Sequence, residues 1–125
     1  MSLKVLYIED EPDIRALAEM MMESLGGYTV KACADGLIAL EEATDFQPDV
    51  IVLDVMMPGL SGPETLQKLR ELPVTSTTPA IFMTGKSQDQ DIESLLATGA
   101  IGVIQKPFDP MTVAGQIQEL FNKAA

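Results

Sequence analysis

Residues 48–59 read PDVIVLDVMMPG, and an unbroken apolar run occupies residues 50–53 of this segment. Such a run predicts a central strand of a parallel sheet, because helices cover both faces of a strand in that position. Asp54 follows the run directly, so its carboxylate loses much of its hydration and needs stabilising partners. Asp54 is therefore a candidate for chemistry, although a structural role as a cap of the turn at residues 56–59 stays open.

On both sides of this segment, short apolar runs alternate with stretches of helical periodicity. This alternation predicts an α/β fold, in which a doubly wound parallel sheet is built from successive βα units. We predict strands at residues 4–9, 28–33, 50–54, 80–84 and 101–105.

The first helix has the clearest pattern, with Pro12 at its first position and with Gly26 and Gly27 as stop signals. Its predicted apolar stripe consists of Ile14, Leu17, Ala18, Met21 and Leu25. The second helix should begin near Gly36, after Asp35 as its cap.

The third helix should begin near Pro63, where Ser61 and Glu64 have the spacing of a capping box. Its predicted buried stripe consists of Leu66, Leu69 and Leu72.

The fourth helix should follow Ser87, with Gln90 at capping-box distance, and end at Gly99. It is expected to bury some of Ile92, Leu95 and Leu96. The fifth is predicted to start at Asp109-Pro110 and to reach Phe121.

Length and charge limit the classes of function. The chain has 125 residues, which suits a single domain over residues 1–125 without an output domain. A net charge of -11 disfavours direct binding to nucleic acid or to an anionic membrane. No apolar run approaches the roughly 18 residues that span a bilayer, and no signal peptide is evident, so we expect a cytoplasmic protein.

Histidine is absent, and Cys33 is the single cysteine of the chain. A Cys/His zinc site and a Ser-His or Cys-His catalytic pair are therefore excluded. We interpret Cys33 as a packing residue at a strand end and the eight methionines as adaptable core residues.

Charged and hydroxyl side chains stand at the predicted strand ends, which parallel strands bring to one edge of the sheet. The first strand ends in the acidic residues Glu9, Asp10 and Glu11, and the third ends at Asp54. Two carboxylates about 5 Å apart repel by roughly 3 kcal/mol at an effective dielectric constant near 20. A divalent cation such as Mg²⁺ would relieve this repulsion. Alternatively, residues 9–11 are a solvated helix N-terminus that complements the helix dipole.

A carboxylate can also act as a nucleophile and form an aspartyl phosphate when cations neutralise the incoming phosphoryl oxygens. Lys106 could supply one such charge, and the Thr84 hydroxyl could supply a hydrogen bond. Lys106 by itself also fits an ordinary surface lysine.

Four separated motifs resemble the receiver domains of two-component response regulators. They are VLYIEDEP at residues 5–12, PDVIVLDVMMPG at 48–59, MTG at 83–85 and KPF at 106–108. Their order and spacing match the family over almost the whole chain. The resemblance implies a flavodoxin-like (βα)5 fold with strand order 2-1-3-4-5.

The resemblance also implies the role of each site residue. Asp54 would be the phosphoacceptor, and Thr84 and Lys106 would bind the phosphoryl group. Asp10, Asp54 and the backbone carbonyl of Met56 would coordinate Mg²⁺ or Mn²⁺, with Glu9 acting through water. The donor would be a sensor histidine kinase or a phosphotransfer protein, and the signal would pass to a downstream protein target. Such a domain catalyses only its own phosphorylation and dephosphorylation.

Three positions depart from the family pattern. Glu9 stands where many members have aspartate, and Gly85 stands where alanine is common. Val103 replaces the aromatic residue that turns inward on activation in many members. We therefore expect the response to involve residues 85–87 and the fourth helix. Phe108 is expected to serve in packing.

Two other classes of function stay open. Hydrolases that form an aspartyl phosphate usually need a second aspartate two residues after the nucleophile, but Met56 stands at that position. A receiver-like module that binds proteins without phosphorylation is also conceivable. The complete set of Asp10, Asp54, Thr84 and Lys106 argues against it.

Overall fold

A computed structural model describes residues 2–85 and 89–124, with only the backbone of Asp89 and Gln90. Strands and helices alternate through these residues. In chain order they are β1 (Lys4–Ile8), α1 (Pro12–Gly26), β2 (Thr29–Cys33), α2 (Gly36–Phe46), β3 (Val50–Asp54), α3 (Gly62–Arg70), β4 (Ala80–Thr84), α4 (Asp89–Leu96), β5 (Gly102–Gln105) and α5 (Val113–Ala124). A short 3₁₀ turn, Pro73–Thr75, follows α3.

The strands form one parallel sheet in the order β2-β1-β3-β4-β5. This result confirms the predicted α/β fold and the strand order that the family resemblance implied. All residues of β3 are buried, as its apolar sequence predicts for a central strand. The strand order reverses between β1 and β3, and ligands of such folds bind in the crevice at that point.

The pleat of the strands divides the core into two layers, because successive side chains point to opposite faces. Leu6 and Ile8 face the layer that α2, α3 and α4 cover, whereas Val5 and Tyr7 face the layer that α1 and α5 cover. Both layers are apolar and buried, so the sheet is doubly wound.

Local hydrogen bonds cap the end of α1 and the starts of α2 and α3 where the sequence predicts. The Asp35 side chain accepts a hydrogen bond from the Ile38 amide and caps α2. Ser61 and Glu64 form a reciprocal capping box at the start of α3. Gly27 ends α1 in the left-handed conformation, at φ 69°. The predicted cap of α4, Ser87, lies outside the described residues.

Some predicted boundaries were wrong. Strand β1 ends at Ile8, β2 begins at Thr29 and β5 begins at Gly102, each one residue inside its predicted limit. The larger error concerns α5, which begins at Val113 instead of Asp109-Pro110. The Asp109 side chain accepts a hydrogen bond from the Met111 amide, and its carbonyl accepts bonds from Thr112 and Val113. These bonds form a turn before the helix.

The predicted apolar stripe of α1 was only partly right. Ala18 is buried, but the most buried side chain beside it is Met22, which the prediction omitted. Leu17 and Leu25 are exposed. Apolar residues extend around more than one face of this helix, so their spacing does not say which face meets the sheet. The stripe of α3 was predicted correctly for Leu66 and Leu69, which are buried. Leu72 was placed in this helix wrongly, because α3 ends at Arg70, and Leu72 is partly buried after it.

The interpretation of the methionines as core residues also holds only in part. Met22, Met57 and Met83 are buried, whereas Met20, Met56 and Met111 are exposed. Cys33 is buried in the core, as predicted, and burial raises the pKa of its thiol to about 11. Among the described residues, no helix combines the length and apolar character that a membrane crossing requires.

The packing of α1 leads to a stability prediction. Met22→Ala should lower the free energy of unfolding by about 2 to 5 kcal/mol, because Met22 is 0% exposed and its loss leaves a cavity. Leu25→Ala is the matched control and should cost less than about 1 kcal/mol, since Leu25 is 51% exposed. Urea denaturation of the two variants measures both values. Equal losses would contradict the observed orientation of α1.

Candidate functional site

The register of the sheet brings the ends of β1 and β3 together. Ile8 pairs with Leu53, so the next residues, Glu9 and Asp54, are neighbours at the carboxyl edge. Both side chains are nearly buried, with Glu9 1% exposed and Asp54 6% exposed. Charged groups at such depth need close partners.

Lys106 supplies that partner from the end of β5. Its Nζ lies 2.7 Å from Glu9 Oε1 and 3.3 Å from Asp54 Oδ2. The backbone amide of Lys106 donates to the Thr84 carbonyl at 2.8 Å, which continues the β4–β5 pairing up to the site. The Lys106–Pro107 peptide bond is cis. Lys106 thus serves in an internal ion-pair network and is not an ordinary surface lysine.

The backbone satisfies the remaining carboxylate oxygens. The Val55 amide donates to Asp54 Oδ1 at 3.0 Å, and the Glu11 amide donates to Glu9 Oε2 at 3.1 Å. Glu11 stands at the N-cap position of α1, but its own side chain makes no capping hydrogen bond. Its backbone, rather than its carboxylate, therefore contributes to the site.

Burial and charge compete in setting the pKa values of the network. Burial raises the pKa of Glu9 and of Asp54, and contact with Lys106 offsets part of each increase. Burial alone would lower the pKa of Lys106, but its bonds to the two carboxylates outweigh burial and raise it. The lysine is therefore held in its charged form.

Asp10 completes an acidic cluster. Three carboxylate oxygens, one each from Glu9, Asp10 and Asp54, lie within 4.8 Å of one another. Hard oxygen donors at this spacing fit a divalent cation such as Mg²⁺. The structure thus brings together three of the predicted metal residues. The fourth, Met56, lies in the loop after β3, with its side chain 68% exposed.

Thr84 ends β4 at the same edge of the sheet and is buried. It lies one residue beyond Met83, which pairs with Asp54.

Val103 is partly buried and packs against the layer that contains Phe82. Phe108 is also partly buried and packs against the other layer, so its predicted packing role is confirmed.

Two residues outside the predicted set of site residues, Arg15 and Gly62, support the site. Arg15 donates to the Glu9 carbonyl at 2.9 Å and to the Asp10 carbonyl at 3.4 Å. Gly62 lies against the backbone of Asp54, where an added Cβ would stand 2.2 Å from the Asp54 carbonyl oxygen. The sequence features that could have indicated these residues are the position of Arg15 in the first turns of α1 and that of Gly62 directly after the capping residue Ser61.

Comparison with known proteins identifies the family. A family model described as the response regulator receiver domain matches residues 5–118. The chain belongs to this family. Receiver domains have a signalling fold and bind Mg²⁺ at an acidic pocket. The family therefore disfavours the hydrolase alternative.

Relatives of this receiver domain include whole regulators and isolated domains. Transcriptional regulatory protein CseB of Streptomyces coelicolor is 33% identical over 119 residues, which are 95% of this chain and 49% of CseB. The chain thus spans about half the length of the curated relatives it matches, such as CseB. The structure of Vibrio cholerae chemotaxis protein CheY4 has a TM-score of 0.88 and 32% identity, and the match covers 96% of this chain and 99% of that one.

A third relative is a receiver domain in an activated form. The structure of the BeF3-activated DrrB receiver domain has a TM-score of 0.82 and 25% identity. The match covers 98% of this chain and 99% of that chain.

The acidic cluster leads to a second stability prediction. In EDTA, Asp10→Asn should raise the free energy of unfolding by up to about 1 kcal/mol, because it removes one of three mutually repelling carboxylates. Asp13→Asn is the matched control: Asp13 lies in the first turn of α1, where its charge complements the helix dipole. This control should be neutral or slightly destabilising. Thermal melts in which Asp10→Asn is less stable than the parent would contradict the prediction.

Proposed function

We propose that this receiver domain accepts a phosphoryl group on Asp54 from a sensor histidine kinase or a phosphotransfer protein. The observation that carries the proposal is the nearly buried Asp54 carboxylate, which contacts Lys106 beside Glu9 and Asp10. An aspartate in this setting is oriented by its partners and is also close to positive charge. Family membership supports the same role.

In the proposed reaction, one carboxylate oxygen of Asp54 forms a bond to phosphorus. The bond between phosphorus and the donor breaks, and its electron pair leaves with the donor. Lys106 neutralises charge on the phosphoryl oxygens, and the Thr84 hydroxyl hydrogen-bonds to them. Phosphoryl transfer depends mainly on positioning and charge neutralisation, and these side chains can provide both.

Mg²⁺ or Mn²⁺ would be held by Asp10, Asp54 and the Met56 carbonyl, with Glu9 acting through water. When bound, the cation supplies positive charge that attracts and orients the phosphoryl oxygens. The observed acidic cluster supports this assignment. Asp10 has a particular reason to serve as a ligand, because Lys106 already contacts the other two carboxylates.

The partners are proteins in this proposal. An apolar groove of ≈ 130 Å³ beside Lys106, lined in part by Ile14, Leu17 and Phe108, offers a surface on which a phosphodonor protein can dock. The net charge of -11 disfavours direct contact with nucleic acid. The domain signals to a downstream protein target in the cytoplasm, and it catalyses only its own phosphorylation and dephosphorylation.

Phosphorylation can be tested with a small donor. With acetyl phosphate and Mg²⁺, the intact mass should increase by one phosphoryl group, and Asp54→Asn should abolish the increase. EDTA should also prevent it, because the carboxylates then repel the anionic donor. Asp49→Asn is a matched control, since Asp49 lies at the other end of β3 and accepts a hydrogen bond from the Lys4 amide. Normal phosphorylation of Asp54→Asn would show that the acceptor is another residue.

The route of the signal gives a further prediction. A phosphoryl group adds about two negative charges at the sheet edge, and the Thr84 hydroxyl should move toward it. Amide NMR shifts induced by the phosphate mimic beryllofluoride should centre on Gly85 and α4, because Val103 provides no aromatic ring to reorient. Thr84→Ala should lose most of this response.

Thr84→Ser is the control for that experiment, because it keeps the hydroxyl group and should keep the response. A full response in Thr84→Ala would rule out the hydroxyl as the transmitter. Shifts confined to β2 and α2 would rule out the route through α4.

A further inference from the structure

The hydroxyl group of Tyr7 is buried, without a partner in the part of the chain that the structure describes. Tyr7 is 0% exposed, and its Oη makes no hydrogen bond to any residue that the structure describes. A buried donor without an acceptor is unfavourable, so such a group calls for an explanation. Phenylalanine would fill a similar volume without this disadvantage.

Tyr7 lies near the end of β1, the strand that leads into the functional site. It precedes Glu9 by two residues, so the pleat of β1 places both side chains on the same face of the sheet. Its register partner on β3 is Val52, which precedes Asp54 by two residues. Side chains in strands lean along the strand direction, which allows a long tyrosine side chain to extend toward the site.

The hydroxyl keeps its proton under ordinary conditions. Burial raises the pKa of Tyr7 far above its usual value, and the negative charges of Glu9 and Asp54 raise it further. The side chain is therefore a neutral hydrogen-bond donor.

Phosphorylation would create an acceptor for this donor. Glu9 Oε1 accepts a hydrogen bond from Lys106 Nζ at 2.7 Å, and the same Nζ lies 3.3 Å from Asp54 Oδ2. A phosphoryl group on Asp54 attracts the lysine more strongly than Glu9 does, because it carries about two negative charges. When the lysine moves, the nearly buried Glu9 keeps the Glu11 amide on Oε2, but Oε1 loses its charged donor.

We propose that Tyr7 is a positioning residue whose hydroxyl donates a hydrogen bond to the Glu9 carboxylate when Lys106 turns to the phosphoryl group. This inference rests on the proposed phosphorylation of Asp54. Among the residues that the structure describes, the hydroxyl has no partner in the resting state. In the activated state it gains one. Tyr7 therefore shifts the equilibrium toward the activated state, at the expense of resting stability.

Tyr7→Phe tests the inference by removing only the hydroxyl. Its affinity for beryllofluoride at fixed Mg²⁺ should fall roughly tenfold, the effect of losing a hydrogen bond to a charged group. Its melting temperature in EDTA should equal or exceed that of the parent.

Tyr28→Phe is the matched control. The Tyr28 hydroxyl is also buried but donates to the Ala114 carbonyl at 2.7 Å, away from the site. This variant should melt at a lower temperature than the parent and bind beryllofluoride with unchanged affinity.

A spectroscopic measurement follows the hydroxyl directly. The chain has two tyrosines, so labelling with ¹³C at Cζ gives two signals, which the phenylalanine variants assign. Beryllofluoride should shift the Tyr7 signal and leave the Tyr28 signal in place. Lys106→Met should shift the Tyr7 signal in the same direction without beryllofluoride, because Glu9 has then lost its lysine.

The outcomes separate this inference from the proposed function. If the parent is not phosphorylated on Asp54 and does not bind beryllofluoride, the proposed function fails and the inference fails with it. If the parent does both but Tyr7→Phe binds beryllofluoride equally well, the inference alone is overturned. An unmoved Tyr7 signal in Lys106→Met, or a lowered melting temperature of Tyr7→Phe in EDTA, would also overturn it.

Discussion

The ion pairs that Lys106 makes with Glu9 and Asp54 are the constraint on which this molecule depends. Two nearly buried carboxylates meet where β1 and β3 end, and Asp10 adds a third beside them. Without a cation close by, their mutual repulsion and lost hydration would oppose folding. Lys106 relieves this cost in the resting state, and a divalent cation can relieve it further. The same charges that make the site costly also make it suitable for phosphoryl chemistry.

The parallel sheet delivers these groups from three separate strands. The β1–β3 register sets Glu9 beside Asp54, and the β4–β5 pairing continues to the backbone of Lys106. Gly62 allows the start of α3 to approach the backbone of Asp54 closely, which fixes the loop that contains Met56. The positions of the site residues are thus set mainly by the backbone geometry of the sheet and of the loop after β3.

The pleat of the strands places the acidic residues and Thr84 on opposite faces of the sheet. Tyr7 and Val52 face the layer that α1 and α5 cover. Glu9 and Asp54 each follow one of them by two residues, so the pleat places them on the same face. Thr84 follows Phe82 on the opposite face, toward α4, where Val103 also packs. A change at Asp54 must therefore cross the sheet edge to reach α4. Thr84 stands at that edge, and this position suits it to carry the change.

The sequence by itself determined the α/β class, the strand centres, the caps of α2 and α3 and the residues gathered at the sheet edge. These features depend on apolar periodicity and on hydrogen bonds between residues a few positions apart, both of which are visible in the chain. The strand order and the site roles came from the four family motifs, and the roles stay predictions.

Only the tertiary structure decided that Met22, rather than Leu17 or Leu25, enters the core, because α1 carries apolar residues on several faces and its rotation depends on α5 and the sheet. It likewise revealed the contact of Lys106 with Glu9 and the buried hydroxyl of Tyr7, which has no partner among the described residues. Such contacts join residues far apart in the chain, or depend on what surrounds a side chain in space, and no local pattern records them.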